Sequence, residues 1–172
     1  METLSKLIRG TEGHPAHPPL THATIGMFVL AAGLAVIGYA GGLGSAAGTG
    51  TWLALVGGLT VAVPTALTGF ADWLTIEWGI PLWRTATLHM LAMVTGVCLF
   101  AAAAWLQWSG WRDGSVTTGG LVLTLAGLGA LVGGGWLGGS LVFVHGMRVV
   151  EQEAEAVDLP ALPRISTGGT QR

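Results

Sequence analysis

Four long apolar runs constrain this chain more than any other feature. They cover about residues 21–40, 51–70, 85–107 and 119–145. Each is close to the roughly 20 residues that an α-helix needs to cross the hydrocarbon core of a bilayer. Because lipid offers the backbone no hydrogen-bond partner, each run must satisfy its own N–H and C=O groups, as a helix does. The sequence therefore predicts an all-α integral membrane protein, an antiparallel bundle of four transmembrane helices.

The charge content supports this interpretation. Only 9% of the 172 residues are charged and 51% are hydrophobic, whereas soluble domains carry roughly 25% charged residues. The bilayer is therefore the expected partner, and a net charge of −2 without a basic patch argues against nucleic acid. Cys98 is the single cysteine, so an internal disulfide and covalently attached c-type haem are both excluded.

The chain divides into three parts. Residues 1–20 form a polar arm rich in histidine and proline, residues 21–148 form the membrane domain, and residues 149–172 form an acidic tail that we expect to be disordered. Four spans place both termini on one side. By the positive-inside rule that side is cytoplasmic, because it carries all but one of the basic residues. Those on the terminal side are Lys6, Arg9, Arg84, Arg148, Arg164 and Arg172, and only Arg112 lies on the opposite side.

The tryptophans mark the expected membrane surfaces, since Trp prefers the headgroup region. Trp136 is the exception, inside the fourth span. The other seven predict two belts. The terminal-side belt contains Trp73, Trp78 and Trp83, and the opposite belt contains Trp52, Trp105, Trp108 and Trp111.

All five histidines and Asp72 fall on the terminal side of this topology. His14 and His17 precede the first span, and His22 opens it. His89 lies about one turn inside the third span, and His145 lies near the end of the fourth. The helical stripes of His22, His89 and His145 contain glycines, which mark close helix contacts, so we expect these three to face the bundle interior.

Ionisable groups within a bilayer are costly and usually functional. Two histidines at matching depth on different helices are able to hold b-type haem, and His89 and His145 fit this description, with His22 nearby. A single transition-metal ion is the alternative, since imidazole and carboxylate are suitable ligands. Its expected ligands are His14, His17, His89 and Asp72.

Structural alternatives remain open for the same residues. His14 and His17 fit a simple interfacial role, His22 can cap the first span, and Asp72 can pair with Arg84 across the loop. The fourth span, "GLGALVGGGWLGGS", is suited to close packing or to docking a partner or second copy. A cofactor-free assembly subunit is thus a further candidate. Because no catalytic motif is present, an enzyme is the less expected class.

Four ordered motifs carry a family resemblance: "GHPAHPPLTHATIG", "PTALTGFADW", "LWRTATLHM" and "GGWLGGSLVFVHGMRV". Between Gly13 and Val149 the chain resembles the bacterial membrane proteins of domain-of-unknown-function family 2231. The resemblance implies a four-helix module of the bacterial plasma membrane. Some members join this module to a Rieske or cytochrome-type domain, which implies electron transfer with quinone or a redox partner protein.

The resemblance also carries over individual residues. Thr24 stands where proline is usual in the family, and Ser140 stands where the family often has histidine. The family motifs are otherwise matched at His14, Pro15, His17, Pro18, Asp72, Trp73 and His89.

Overall fold

The structure is a computed structural model that describes residues 8–11 and 13–149. Four of its helices are long and apolar enough to cross a membrane, which confirms the predicted fold class. The elements are β1 (Gly10–Thr11), β2 (His14–Pro15), α1 (His17–Tyr39), α2 (Ser45–Trp73), α3 (Pro81–Leu106), α4 (Trp108–Asp113) and α5 (Thr118–Phe143).

The long helices begin earlier than the apolar runs indicated. α1 and α3 each start four residues before the predicted limit, with proline in the first turn. Proline is well suited there because the first N–H groups of a helix have no intrahelical acceptor. The polar arm is consequently shorter than predicted, and its described residues include a small antiparallel hairpin of β1 and β2. The predicted disordered tail lies outside the described residues, apart from Val149.

α1 packs mainly on α2, and α3 packs mainly on α5. The contacts of each pair run in opposite order along the two helices, so each pair is an antiparallel hairpin. In the first pair the contacts are His17 with Gly69, Phe28 with Gly58, and Gly38 with Ala47. In the second they are His89 with Gly138, Phe100 with Gly127, and Leu106 with Gly119.

The second pair repeats the contacts of the first. Phe28 follows His17, and Phe100 follows His89, at the same spacing of eleven residues. The glycines that these side chains contact, Gly58 and Gly69 in α2 and Gly127 and Gly138 in α5, are also eleven residues apart in each pair. The chain therefore contains two copies of one helix-hairpin unit, a repeat that the sequence analysis did not detect.

The two copies meet at the centre of the bundle. The Phe28 and Phe100 rings are fully buried and stack with centroids 3.8 Å apart and planes 8° apart. Contact between a residue and its own equivalent is the mark of a two-fold relation. The α1–α2 and α3–α5 units thus face each other across an approximate two-fold axis, with α1 and α3 beginning at the same end.

The tryptophan contacts group six of the seven residues of the predicted belts at two ends of the bundle. On the terminal side, the rings of Trp78 and Trp83 are 4.2 Å apart. On the opposite side, Trp52 stacks on Trp111 at 4.4 Å, and Trp108 is 4.9 Å from Trp111. Trp136 is 81% exposed on the outside of α5.

A fully buried glutamine closes the opposite end. Gln107 donates from Nε2 to the Ser115 carbonyl (2.7 Å) and accepts at Oε1 from the Thr117 backbone N–H (3.0 Å). Thr117 in turn caps α5 by accepting from Gly120 N at 3.0 Å. The loop around α4 is therefore held from inside the bundle rather than by surface contacts.

Candidate cofactor site

His17 opens α1 and is fixed against α2. Its Nδ1 lies 2.9 Å from the Thr65 carbonyl oxygen and 3.2 Å from the Thr68 hydroxyl. Since a carbonyl only accepts, Nδ1 carries the proton and donates. A Cβ at Gly69 would lie 2.7 Å from His17 Cε1, so only glycine allows the imidazole to approach α2 this closely.

His89 makes the equivalent contacts in the second unit. Its Nδ1 donates to the Gly134 carbonyl oxygen at 2.7 Å. A Cβ at Gly138 would lie 3.0 Å from His89 Cε1. Thr65 and Gly134, which supply the two carbonyls, occupy equivalent positions seven residues after Gly58 and Gly127. Each imidazole is thus oriented by the same kind of contact within its own helix pair.

The hydrogen bonds select one tautomer for both rings. With the proton on Nδ1, each Nε2 presents a lone pair, which is the state of a metal-ligating imidazole. Ligating histidines commonly donate the other ring N–H to a backbone carbonyl. His17 Nε2 has only a long 3.4 Å contact to Thr21, whose hydroxyl donates to the His17 carbonyl instead. Within the described part of the chain, His89 Nε2 makes no hydrogen bond.

The two histidines share a depth and a face. Eleven residues correspond to about three helical turns, so each histidine lies on the same side of its helix as the phenylalanine of the central stack. His17 and His89 therefore line the region between the two units, where the helices pack less extensively than within each unit.

A buried carboxylate lies beside this pair. The Asp72 side chain is 6% exposed, and its Oδ1 accepts from Arg9 Nε at 2.9 Å and from an Arg148 terminal nitrogen at 2.7 Å. The same Arg148 nitrogen donates to the Arg9 carbonyl at 3.0 Å, and Arg9 also donates to Thr75 at 3.1 Å. Asp72 thus ties the N-terminal arm and the segment after α5 to the end of α2.

The expected Asp72–Arg84 pair is wrong. Arg84 is exposed, and Asp72 is occupied by Arg9 and Arg148. The loop spacing suggested a local partner, but the fold brings together residues 63 and 76 positions away from Asp72. The excess of basic residues on the terminal side was the one signal in the sequence for this cluster.

The remaining histidines do not make contacts of this kind. His14 and His22 are exposed, and the glycines on the stripe of His22, Gly26 and Gly33, have no atom within 4 Å of the place a Cβ would take. The expectation that His22 faces the interior is therefore wrong. His145 follows α5, and its Nε2 is 3.1 Å from Thr85 Oγ1. Thr85 lies on α3, one turn before His89.

The proposed metal ligands do not converge on one point. Among the residues described by the structure, no three His, Cys, Asp or Glu side chains are grouped closely enough to hold a metal ion. His14 is exposed, and two guanidinium groups occupy Asp72.

The glycines of α5 point in two directions. Gly134 and Gly138 face α3, where a Cβ at these positions would press against Met93 and His89. Others have open space around them: Gly129, Gly133, Gly135 and Gly139. The fourth span therefore combines close packing inside the bundle with a bare outer face.

The fold and composition define a four-helix integral membrane protein. Residues 13–151 match the family DUF2231, described as a predicted membrane protein. Because the match covers most of the chain, the protein belongs to this family, as the motifs suggested. No curated protein matches the chain, and no solved structure matches it.

Proposed function

We propose that this protein is a membrane electron-transfer subunit that binds b-type haem between its two helix-hairpin units, where His17 and His89 would hold the iron. The observation that carries the proposal is the equivalence of the two imidazoles. They occupy matching positions in the repeat, and each is oriented through Nδ1 by a backbone carbonyl. Bundle proteins commonly build cofactor sites from side chains on facing helices.

His17 suits the second ligand position better than His145. His145 Nε2 already contacts the Thr85 hydroxyl, and its position near Thr85 sets it one turn away from the level of His89. His17 lies on a different helix at the same level, with its Nε2 directed away from the carbonyl that fixes Nδ1. His22 is exposed, which makes it a control rather than a ligand.

The site is compatible with haem in its chemistry. Neutral Nε2 atoms are the donors that haem iron takes from histidine, and the buried apolar cluster around Phe28 and Phe100 lies beyond the histidines. The stack of these two rings limits how deeply a flat macrocycle enters. Bound haem would supply reversible one-electron chemistry, and the chain would supply ligation, orientation and exclusion of water.

An optical spectrum tests the proposal. Protein purified from haem-replete cells should give a Soret band and sharp α and β bands in the reduced-minus-oxidised spectrum, the pattern of low-spin iron with two imidazoles. His17→Ala and His89→Ala should each remove the low-spin bands. His22→Ala changes the same residue type on the same helix as His17 and should retain them.

The variants also separate the two candidate pairs. If His145→Ala removes the low-spin bands and His17→Ala retains them, His89 and His145 are the ligands instead. Wild-type protein that neither carries haem nor binds added haemin would refute the proposal as a whole.

The direction of electron flow depends on orientation, and we propose that the haem side is cytoplasmic. Six of the seven lysines and arginines support this topology. In a Cys98→Ala background, Ser115→Cys should react with a membrane-impermeant maleimide in intact cells, whereas Thr11→Cys should react only after lysis. The reverse pattern would move the site to the outer surface. A quinone or a redox protein is the proposed partner, tested by the rate at which each oxidises the reduced protein.

We also propose that the outer glycine face of α5 docks another helix, from a second copy or a partner subunit. Open glycines at Gly129 and Gly133, four residues apart, allow two backbones to approach closely within lipid. Gly133→Leu should disrupt a complex seen by crosslinking in membranes. A change at Gly41, in the loop before α2, should not.

A further inference from the structure

The Arg9–Asp72–Arg148 cluster lies at the terminal-side end of α2. Two guanidinium groups share one carboxylate oxygen. Within residues 8–11 and 13–149, no second carboxylate pairs with either arginine.

One donor of the cluster is also unused. Arg148 Nε is buried and lacks a hydrogen-bond partner among the described residues. Buried polar side-chain atoms nearly always have a partner, and exceptions call for an explanation such as a missing ligand. An unused donor on an arginine whose other group already pairs with a carboxylate points to an anion.

The cluster lies directly outside the histidine pair. Thr68 contacts the His17 ring at 3.2 Å, and Asp72 follows Thr68 by one turn, about 6 Å farther along α2. The Arg9 carbonyl accepts from Ala16 N at 3.2 Å, next to His17. An anion at Arg148 would therefore lie on the terminal side of a group bound between His17 and His89.

We propose that Arg148, assisted by Arg9, binds the propionate carboxylates of the tetrapyrrole, an inference that rests on the proposed function. Both propionates of haem b lie on one edge of the macrocycle. With that edge toward the terminal side, one propionate would accept from the unused Nε donor. Arginine suits this task because its planar fork matches the geometry of a carboxylate.

The test compares two porphyrins on purified protein freed of haem. Haemin has two propionates, and haemin dimethyl ester has the same macrocycle with both carboxyl charges removed. Arg148→Gln should weaken haemin binding about tenfold, the loss expected for one charged hydrogen bond, and should leave binding of the ester unchanged. Arg84→Gln removes an exposed charge from the same side of the protein and should change neither.

Arg148→Gln also removes the ion pair with Asp72, so a second variant guards against a loss of folding. Arg148→Lys keeps the charge and the reach to Asp72 but removes Nε, so it should still weaken haemin relative to the ester. If either folded variant weakens both porphyrins equally, or neither, Arg148 does not bind a propionate and the inference fails while haem binding stands. If wild-type protein binds neither porphyrin, the proposed function itself fails.

Discussion

A single methyl group at Gly58 tests how the two helix-hairpin units meet. In Gly58→Ala the new Cβ would lie 2.6 Å from Phe28 Cε1 and 2.8 Å from Cδ1, whereas carbon atoms pack at about 3.5–4.0 Å. The Phe28 ring has nowhere to move. Phe100 stacks behind it at 3.8 Å, and Phe100 is itself held against Gly127.

The size of the effect follows from a matched comparison. Overpacking a tight core costs about 1–3 kcal/mol, while replacing glycine by alanine within a helix returns about 1 kcal/mol. Gly33→Ala gains the same helix propensity in α1 but meets nothing within 4 Å. The difference in the free energy of unfolding between the two variants should therefore equal the packing cost alone, about 1–3 kcal/mol.

Unfolding in mixed micelles with rising SDS fraction, followed by circular dichroism, provides the measurement. Gly127→Ala should lose as much stability as Gly58→Ala, because its Cβ would meet Phe100 at 2.9 Å. Phe28→Leu should restore part of the loss in the Gly58→Ala background. Equal stability of Gly58→Ala and Gly33→Ala would show that the phenylalanine stack does not press on α2, and the reasoning about the repeat would be wrong.

Three further variants test the rest of the structure by the same unfolding assay. Asp72→Asn should destabilise the protein by about 1–3 kcal/mol, because two partly buried arginines lose their counter-ion. Asp113→Asn, at an exposed position, should leave the stability unchanged, and equal effects of the two variants would contradict a stabilising role for the Arg9–Asp72–Arg148 cluster. Gln107→Leu should cost about 1–3 kcal/mol because it leaves the Ser115 carbonyl and the Thr117 N–H unpaired inside the protein, and Ser109→Ala serves as its exposed control. Gly114→Ala should be more harmful than Gly41→Ala: both glycines have positive φ, but only at Gly114 would the new Cβ collide with Ser45.

Much of the fold was accessible from the sequence because lipid imposes simple rules on length and polarity. Those rules located four helices, and the tryptophans independently located two surfaces. The positions at which the helices begin and end were harder to predict from the sequence. At His17 the two prolines that follow indicated an extended arm, but proline is favourable in the first turn of a helix, and α1 begins there.

The candidate site was only partly accessible. His89 was expected to face the interior, but His17 was assigned to the arm or to a metal site because α1 was expected to begin at residue 21. The shared spacing of His17 to Phe28 and His89 to Phe100 was present in the sequence. It was obscured because the intervening residues of the two units differ and because glycine is abundant throughout.

The sequence by itself determined that the chain has four membrane-spanning helices and that its histidines gather on one side, because burial in lipid depends on local composition and helix length. Only the tertiary structure decided which residues meet. The contacts of His17 with Thr65 and of His89 with Gly134, and the ion pairs of Arg9 and Arg148 with Asp72, depend on how the helices pack. Contacts between residues so distant in the chain leave little trace in local pattern.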